Sequence, residues 1–446
     1  MNRHLSLRAI LFFIICPCIT FAQKNDDSLP DKATLSDCIQ YALKNQPLIR
    51  QSLIDEEITE TTIKSKLADW YPQVALNYAV QHFLELPTSF FPDANGVKRP
   101  VTIGVRNSSN VQFGVNQAIF NADLLLAKST VKEVRKQVQQ TTTSNKINVI
   151  VEVSKAYYDL LLTQKQVEVL DENILRLERS LKDAFNQYEG GIVDKIDYKR
   201  AQIALNNTRA DRKRAQDLIL AKNAYLKQLM GYPTGSYFEI IYDSLQMEQE
   251  AYTDTLQKVQ YTNRIENQLL QTRQSLLQAN VKYYKWSYLP TVSANGNYTP
   301  QFQNEKFSNL YNNAYPSSFL GLQLSLPIFQ GNKRNYNIRG ANLQLTRIKW
   351  DITAVNNQID AEYAQAIASY KGNLADWQAL KENLVLAEDV YNTLRLQYSA
   401  GIKTYLDVII AETDLRAAQL NYLNALYNVL ASKLDMQKAL GTININ

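Results

Sequence analysis

The sequence predicts an internally duplicated α+β protein in which long coiled-coil helical hairpins carry four β-strands per chain. Three observations predict it. Residues 122–189 run for 68 positions without a Gly or Pro, landmarks of the first half recur in the second, and four windows alternate in polarity without a charged side chain.

The duplication sets the organisation of everything else. Trp70-Tyr71-Pro72-Gln73-Val74 recurs as Tyr288-Leu289-Pro290-Thr291-Val292, and Ala118-Ile119-Phe120 as Pro327-Ile328-Phe329. Tyr188, Gly191, Ile192, Asp197, Ala201 and Leu205 return as Tyr398, Gly401, Ile402, Asp407, Ala411 and Leu415 at a constant offset of 210. Leu229-Met230-Gly231 closes the first copy as Ala439-Leu440-Gly441 closes the second, so the repeats span residues 23–235 and 236–446. The offset is 218 at the paired prolines and 209 at the paired phenylalanines, which places nine extra residues of the first copy in a loop.

At ~1.5 Å per residue, one helix over 122–189 would reach ~100 Å. Its lower half steps by three and four through Leu160, Thr163, Val167, Leu170, Ile174, Leu177, Leu181, Ala184 and Tyr188. Trp377, Leu380, Leu384, Ala387, Tyr391, Leu394 and Tyr398 repeat that phase. Beyond the Gly190-Gly191 break, Ile192 to Met230 offers 39 residues without a breaker and Pro47 to Trp70 offers 24, so two shorter helices end to end match the long one. Val408, Leu415, Tyr422 and Val429 recur every seven residues beside Ala411, Ala418, Ala425 and Ser432. A large column next to a small one lets a helix pack on two neighbours, as the wall of a tube requires. Periodicity alone fits a dimeric coiled coil equally well.

The strands separate the two. Pro72 to Leu84, Asn107 to Phe120, Pro290 to Asn304 and Ser317 to Gln330 contain no Asp, Glu, Lys or Arg. In the first, Val74, Leu76, Tyr78 and Val80 oppose Ala75, Asn77, Ala79 and Gln81; in the last, Leu320 to Ile328 in steps of two oppose Phe319, Gly321, Gln323, Ser325 and Pro327. Amides and hydroxyls without charges suit the water-filled lumen of a membrane barrel. Trp70, Tyr71, Phe120, Trp286, Tyr288 and Phe329 gather where strand meets helix and read as an interfacial belt, with Glu85 to Arg106 and Glu305 to Pro316 as loops at the far end. Four strands cannot close a barrel, since about eight is the smallest number seen in membranes. Three copies with twelve strands is the smallest count that leaves an aqueous bore.

The remaining composition narrows the function. Arg3 and Arg8, an apolar run from Ala9 to Cys16 and Thr20-Phe21-Ala22 predict a cleaved export signal over residues 1–22, without the pattern that would lipidate Cys16 or Cys18. Its removal lowers Lys+Arg from 48 to 46 against 43 acids, a balance that gives nucleic-acid binding no support. One cysteine, Cys38, and one histidine, His82, remain, so neither an intrachain disulfide nor a cofactor or metal cluster is expected. Cys38 reads as a small apolar residue on the inner face of a short helix. With no nucleophile motif or phosphate loop, an enzyme is disfavoured.

Over nearly all of its mature length the chain resembles the TolC outer-membrane efflux family. The resemblance rests on the repeated order of helices and strand hairpins, on Thr34 to Leu43 with capping-box spacing between Thr34 and Asp37, and on two hairpin tips. Those tips are Tyr188-Glu189-Gly190-Gly191-Ile192 followed by Asp197, and Tyr398-Ser399-Ala400-Gly401-Ile402 followed by Asp407. The resemblance implies a homotrimer in outer-membrane lipid whose tips close the periplasmic end and dock on a periplasmic adaptor, a membrane fusion protein that engages an inner-membrane pump. Gly190, Gly191, Ile192, Gly401 and Ile402 would form the docking tips. Carried over position by position, Tyr398 and Lys403 would lock onto Asp197, and Asp407 would ring the narrowest bore, its three copies raising each other's pKa. Lys403 stands where the family has Arg, Ile410 occupies a second ring position, and Ile196 replaces a polar neighbour of Asp197. Plainer readings stand beside these. Acids at helix N-termini favour the macrodipole, Tyr398 ends a packing seam, and Gly at a helix end permits a left-handed residue. The alternative function is a periplasmic coiled-coil scaffold, which leaves the charge-free strands without a purpose.

Overall fold

The structure is a computed structural model that describes residues 29–94, 96–241 and 244–445; the expected export signal over 1–22 lies outside them. In chain order the elements are β1 (Lys32–Ala33), α1 (Leu35–Asn45), α2 (Pro47–Ala68), β2 (Gln73–His82), β3 (Thr88–Pro92), β4 (Lys98–Thr102), β5 (Asn107–Phe120), α3 (Ala122–Glu189) and α4 (Lys195–Met230). The second half runs β6 (Glu239–Ile240), α5 (Ser244–Glu250), α6 (Ile265–Trp286), β7 (Thr291–Asn304), β8 (Ala314–Ser325), α7 (Lys333–Ser399) and α8 (Tyr405–Leu440).

The breaker-free stretch is one helix of 68 residues, and its second-copy counterpart α7 has 67. Asn121 caps α3 by accepting from the Asp123 amide at 2.8 Å. The seam positions Leu160, Thr163, Leu170, Leu177 and Ala184 are buried, and so are Val408, Leu415, Val429, Ala411, Ala425 and Ser432 in the paired columns of α8. The shorter helices meet end to end through a glycine in each copy. Gly231 ends α4 at φ +70° with its α-carbon against the Asn45 carbonyl and Gln46, just before α2, and Gly441 ends α8 at φ +72° against Asn263, just before α6. A Cβ at either would come within 2.8 Å of a backbone oxygen.

The largest core lies midway along the helices. Tyr157, Leu160, Leu161, Tyr370, Trp377 and Leu426 pack with Cys38 and Ala42 of α1, beside the small parallel pair β1–β6. Thr34 and Asp37 close the expected capping box on α1, with Thr34 N to Asp37 Oδ2 at 2.9 Å. Cys38 is fully buried there, and burial pushes its thiol up to about 12.

The four long strands form one antiparallel sheet in the order β2-β5-β7-β8. Its register sorts the residues as the alternation predicts. Leu76 lies opposite Phe113, Phe113 opposite Tyr298, and Val115 opposite Gly296, which faces Leu320; Val74, Val292, Leu322 and Leu324 share that apolar face. The other face carries Asn77 opposite Gln112, Asn110 opposite Gln301, and Asn295 beside Gln323. No helix among the described residues is long and apolar enough to cross a membrane.

Three expectations need correction, the first being that β8 begins at Ala314, inside the segment Glu305 to Pro316 read as a loop. The last strand ends at Ser325, not Gln330; Pro327, which brings no amide hydrogen, stands where the first copy has Ala118, although the same edge strand accommodates Pro316 opposite Pro300. Leu326 to Gln330 form an irregular link to α7, and the alternation of Leu326 and Ile328 continues the pattern without the strand. The stretch Glu85 to Arg106 is not all loop: the nine additional residues allow a second hairpin, β3–β4, closed by Asp93 through the Val97 amide at 3.0 Å and Arg99 at 2.9 Å.

Packing runs in one linear order, open at both ends. In the helical layer α3 lies between α2 with α4 on one side and α6 with α8 on the other, and α7 packs against α6 and α8. Among the described residues α7 has no extended contact with α2 or α4. It leaves Trp350, Val385, Leu386, Val390 and Leu396 exposed, while α2 and α4 expose Ile54, Ile58, Ile203 and Leu220. In the sheet, β2 and β8 are the two unpaired edges.

Candidate gate and docking tips

Both hairpin tips are built by one local device. After α3, the Gly191 amide returns to the Tyr188 carbonyl at 3.0 Å and the Ile192 amide to Gln187 at 2.9 Å, with Gly191 at φ +69°. After α7, Gly401 bonds Tyr398 and Ile402 bonds Gln397, each at 2.9 Å, with Gly401 at φ +75°. This pattern of bonds satisfies the last helical carbonyls and needs a left-handed residue, which a glycine adopts without a Cβ clash. It leaves Ile192 exposed at 76% and Ile402 at 72%. Gly190 precedes the turn at φ −75° and caps α3 in helical conformation. The tips therefore present apolar side chains on a rigid turn.

Each descending helix then restarts with a polar cap. Asp194 accepts from the Ile196 amide at 3.0 Å and places Asp197 in the first turn of α4. On the other tip Thr404 and Asp407 form a full capping box, with the carboxylate accepting from Thr404 N at 3.0 Å and from Thr404 Oγ1 at 2.8 Å. The Thr404 hydroxyl holds the Asp407 carboxyl below its usual range. That effect acts within each chain and opposes the mutual repulsion expected of a ring.

The hairpins hold to each other just above the tips. Ala184, Ala201, Tyr405 and Ile409 form a buried cluster with Leu181 and Tyr198 between the two hairpins, and Tyr391, Val408, Ala411 and Leu415 form a second within the α7–α8 hairpin. Tyr398 packs against both, and its hydroxyl donates to Gln187 Oε1 at 2.8 Å. Within this chain the partner of Tyr398 is thus an amide of α3, one helix away from Asp197. Burial, followed by the Asp197 and Asp183 carboxylates, pushes the Tyr398 phenol up. Among the described residues no ion pair joins Lys403 to Asp197; Lys403 is exposed and lies beside Asp407. Ile196 and Ile410 are both more than half exposed.

Three participants lie outside the positions read from the sequence: Gln187, Tyr405 and Glu412. Gln187 sits next to the tip tyrosine Tyr188 and repeats as Gln397, a signal available in the duplication. Tyr405 is buried with its oxygen accepting from Ser180 at 3.0 Å, and burial pushes it up to about 12. Glu412 is an acid immediately beside a core column, and it is 3% exposed.

At the opposite end the aromatics mark the junction of sheet and helices. Lys128 lies 5.6 Å from the Trp70 ring centre and Arg334 5.0 Å from that of Tyr288. Aromatic rings and cations at that level suit a membrane interface.

A charge-free antiparallel sheet with an apolar and an amide face, carried on hairpins ~100 Å long, is the architecture of an outer-membrane duct with a large periplasmic portion. The profile of the outer membrane efflux protein family matches residues 38–232 and 243–442, and the chain belongs to that family. The outer membrane protein TolC of Escherichia coli K12 is 22% identical over 433 residues, covering 94% of this chain and 84% of TolC. The cation efflux system protein CusC of the same strain is 23% identical over 353 residues, covering 74% of this chain and 72% of CusC. A crystal structure of CusC superposes with a TM-score of 0.72 at 16% identity over 91% of both chains. The chain is an outer-membrane efflux channel protein.

Proposed function

We propose that three copies of this chain assemble into one exit duct of a tripartite efflux or secretion system, in which a periplasmic adaptor docks on the tips and links them to an inner-membrane pump. The mature chain in this reading contributes two repeats, residues 23–235 and 236–446, after loss of residues 1–22. The carrying observation is that two independent layers ask for the same neighbour. The open edge of β8 is antiparallel to that of β2, and the free side of α7 lacks the α2/α4 pair that α3 possesses. A head-to-tail ring satisfies both contacts at once, and twelve strands would close the sheet.

The tips supply the gate. Tyr398, Lys403 and Asp197 act as weak links that favour the closed arrangement, and Asp407 lines the narrow end; Gly190, Gly191, Ile192, Gly401 and Ile402 receive the adaptor. An exposed Lys–Asp link is worth only ~0–1 kcal/mol, so three of them bias a two-state tip that partner binding can still open. Mass measurement of the detergent-purified protein tests the assembly: a trimer is expected, and a stable monomer in an outer-membrane-competent preparation would overturn it.

A further inference from the structure

We propose that Glu412 is a proton-responsive element of the gate: its side chain lies in the contact between the two hairpins, which holds when the carboxyl is neutral and loosens when it is ionised. The proposal rests on the reading of the tips as a gate.

Glu412 projects from α8 into the contact with α3 and is almost fully buried, five positions beyond Asp407. Its Oε1 has no hydrogen-bond partner, and neither has Nε of Arg176 on α3, 3.9 Å away. The two form a long ion pair without a hydrogen bond. Arg176 is drawn elsewhere: Nη2 donates to Asn173, Nη1 lies 3.9 Å from Glu172, and the guanidinium sits 6.0 Å from the Tyr391 ring centre. The other groups facing Glu412 are Tyr391 and Arg395 of α7 and Tyr405 and Arg416 of α8; Arg416 itself donates to Thr208 of α4.

Burial without a bonded partner outweighs the attraction of Arg176, Arg416 and Arg395, and raises the carboxyl from an ordinary 4.5 to about 7. The sign follows. Below about 4.5 the carboxyl is neutral whether packed or exposed, and the contact has its full strength. Between about 4.5 and about 7 the exposed form loses its proton while the packed form keeps it, so each unit of pH weakens the contact by up to tenfold per chain. Acid closes the tips, and neutral pH loosens them.

The duplication contains its own control. The positions 210 residues away from Glu412 and Arg176 are Gln202, half-buried, and Leu386, exposed, and neither is charged. In a ring, α7 of one copy would meet α4 of the next through those residues. The titrating contact therefore occurs only between hairpins of the same chain, at alternate seams of the tunnel.

Single-channel recording of the full-length protein, with the pH on the tip side varied from about 5 to about 8, tests this. The wild-type open fraction should rise about tenfold or more across that range. Glu412→Gln, neutral at every pH, should remain at the wild-type acid level. Arg176→Met removes a cation that favours ionisation and should move the wild-type midpoint upward by roughly one pH unit. If Glu412→Gln fails to assemble, the Arg176→Met shift decides. Superimposable pH curves for wild type and Glu412→Gln, or an unmoved midpoint in Arg176→Met, would overturn the proposal. An assembled wild type that never conducts removes the gate reading itself, and the proton response with it.

Discussion

Single side chains at the tips are held by short-range bonds that fix their roles more tightly than their position in the sequence does. Tyr398 donates to Gln187 and fills the gap between two apolar clusters, so its ring and its hydroxyl can be separated by mutation. Tyr398→Phe combined with Lys403→Ser keeps the ring, removes a bond worth about 0.5–1.5 kcal/mol and one exposed charge, and should raise conductance in a planar bilayer. Unchanged conductance in intact trimers would leave both residues as packing and surface charge. Asp407 is held below its usual carboxyl range by Thr404. A lowered value means the ionised form is favoured in the fold, so its contribution is present above the ordinary 3.8 and is lost only as pH falls through the lowered value. Cation preference should therefore persist down to about pH 4, and Asp407→Asn should weaken it at every pH. Reversal potentials across a salt gradient measure both. A variant as cation-selective as the wild type would assign Asp407 to helix capping alone.

At the scale of elements, strand and turn chemistry decide orientation and tolerance. The register places Leu76 on the apolar face with Phe113 and Tyr298, and Asn77 on the amide face with Gln112. Cysteine at Asn77 should react with water-soluble reagents in assembled protein, and cysteine at Leu76 only with membrane-dissolved ones. The opposite pattern would mean that the amide face meets lipid. At the second tip a Cβ on Gly401 would meet nothing within 4 Å, although φ is +75°. Gly401→Leu therefore costs the strain of one left-handed residue, ~1–2 kcal/mol, without a clash. Efflux should fall by an order of magnitude or more while trimers still assemble, which sensitivity assays and gel mobility would show. Loss of assembly would assign the glycine to folding. The longest helix was readable because breakers bound it, α3 spanning the whole interval between Asn121 and Gly190, whereas α7 continues through Gly340 and Gly372. The end of β8 was not readable, because alternation continues through Leu326 and Ile328 although the ladder stops at Ser325.

At the scale of the whole molecule, one chain is a wedge with two unfinished sides. A sheet edge without charges and a helix face with Val385, Leu386 and Leu396 exposed are both unfavourable in water, so in the proposed ring assembly and membrane insertion would stabilise each other. Weakening the helical side should then lower the trimer yield without altering the sheet. Leu386→Glu with Leu396→Glu places two charges on the free face of α7 and should shift detergent-purified protein from trimer toward monomer. Equal trimer fractions by light scattering would mean that this face is not the contact between copies.

What the sequence determined by itself is whatever depends on local period and on breakers. The lengths of α3 and α4 follow from the spacing of Gly and Pro, whereas α7 runs through Gly340 and Gly372; the buried seams follow from steps of three and four, the sheet faces from alternation, and the repeat from constant offsets. The caps at Thr34–Asp37 and Thr404–Asp407 belong to the same class, since each bond spans three residues. Tertiary structure decided what depends on distance between segments far apart in the chain. That Tyr398 meets Gln187, 211 positions away, and that Arg176 faces Glu412 without a hydrogen bond, follows from how α3 settles against the α7–α8 hairpin. No period encodes it. A seam residue announces that it is buried, whereas its partner across the seam is chosen by the register of two helices, and one helical turn of slip would choose another.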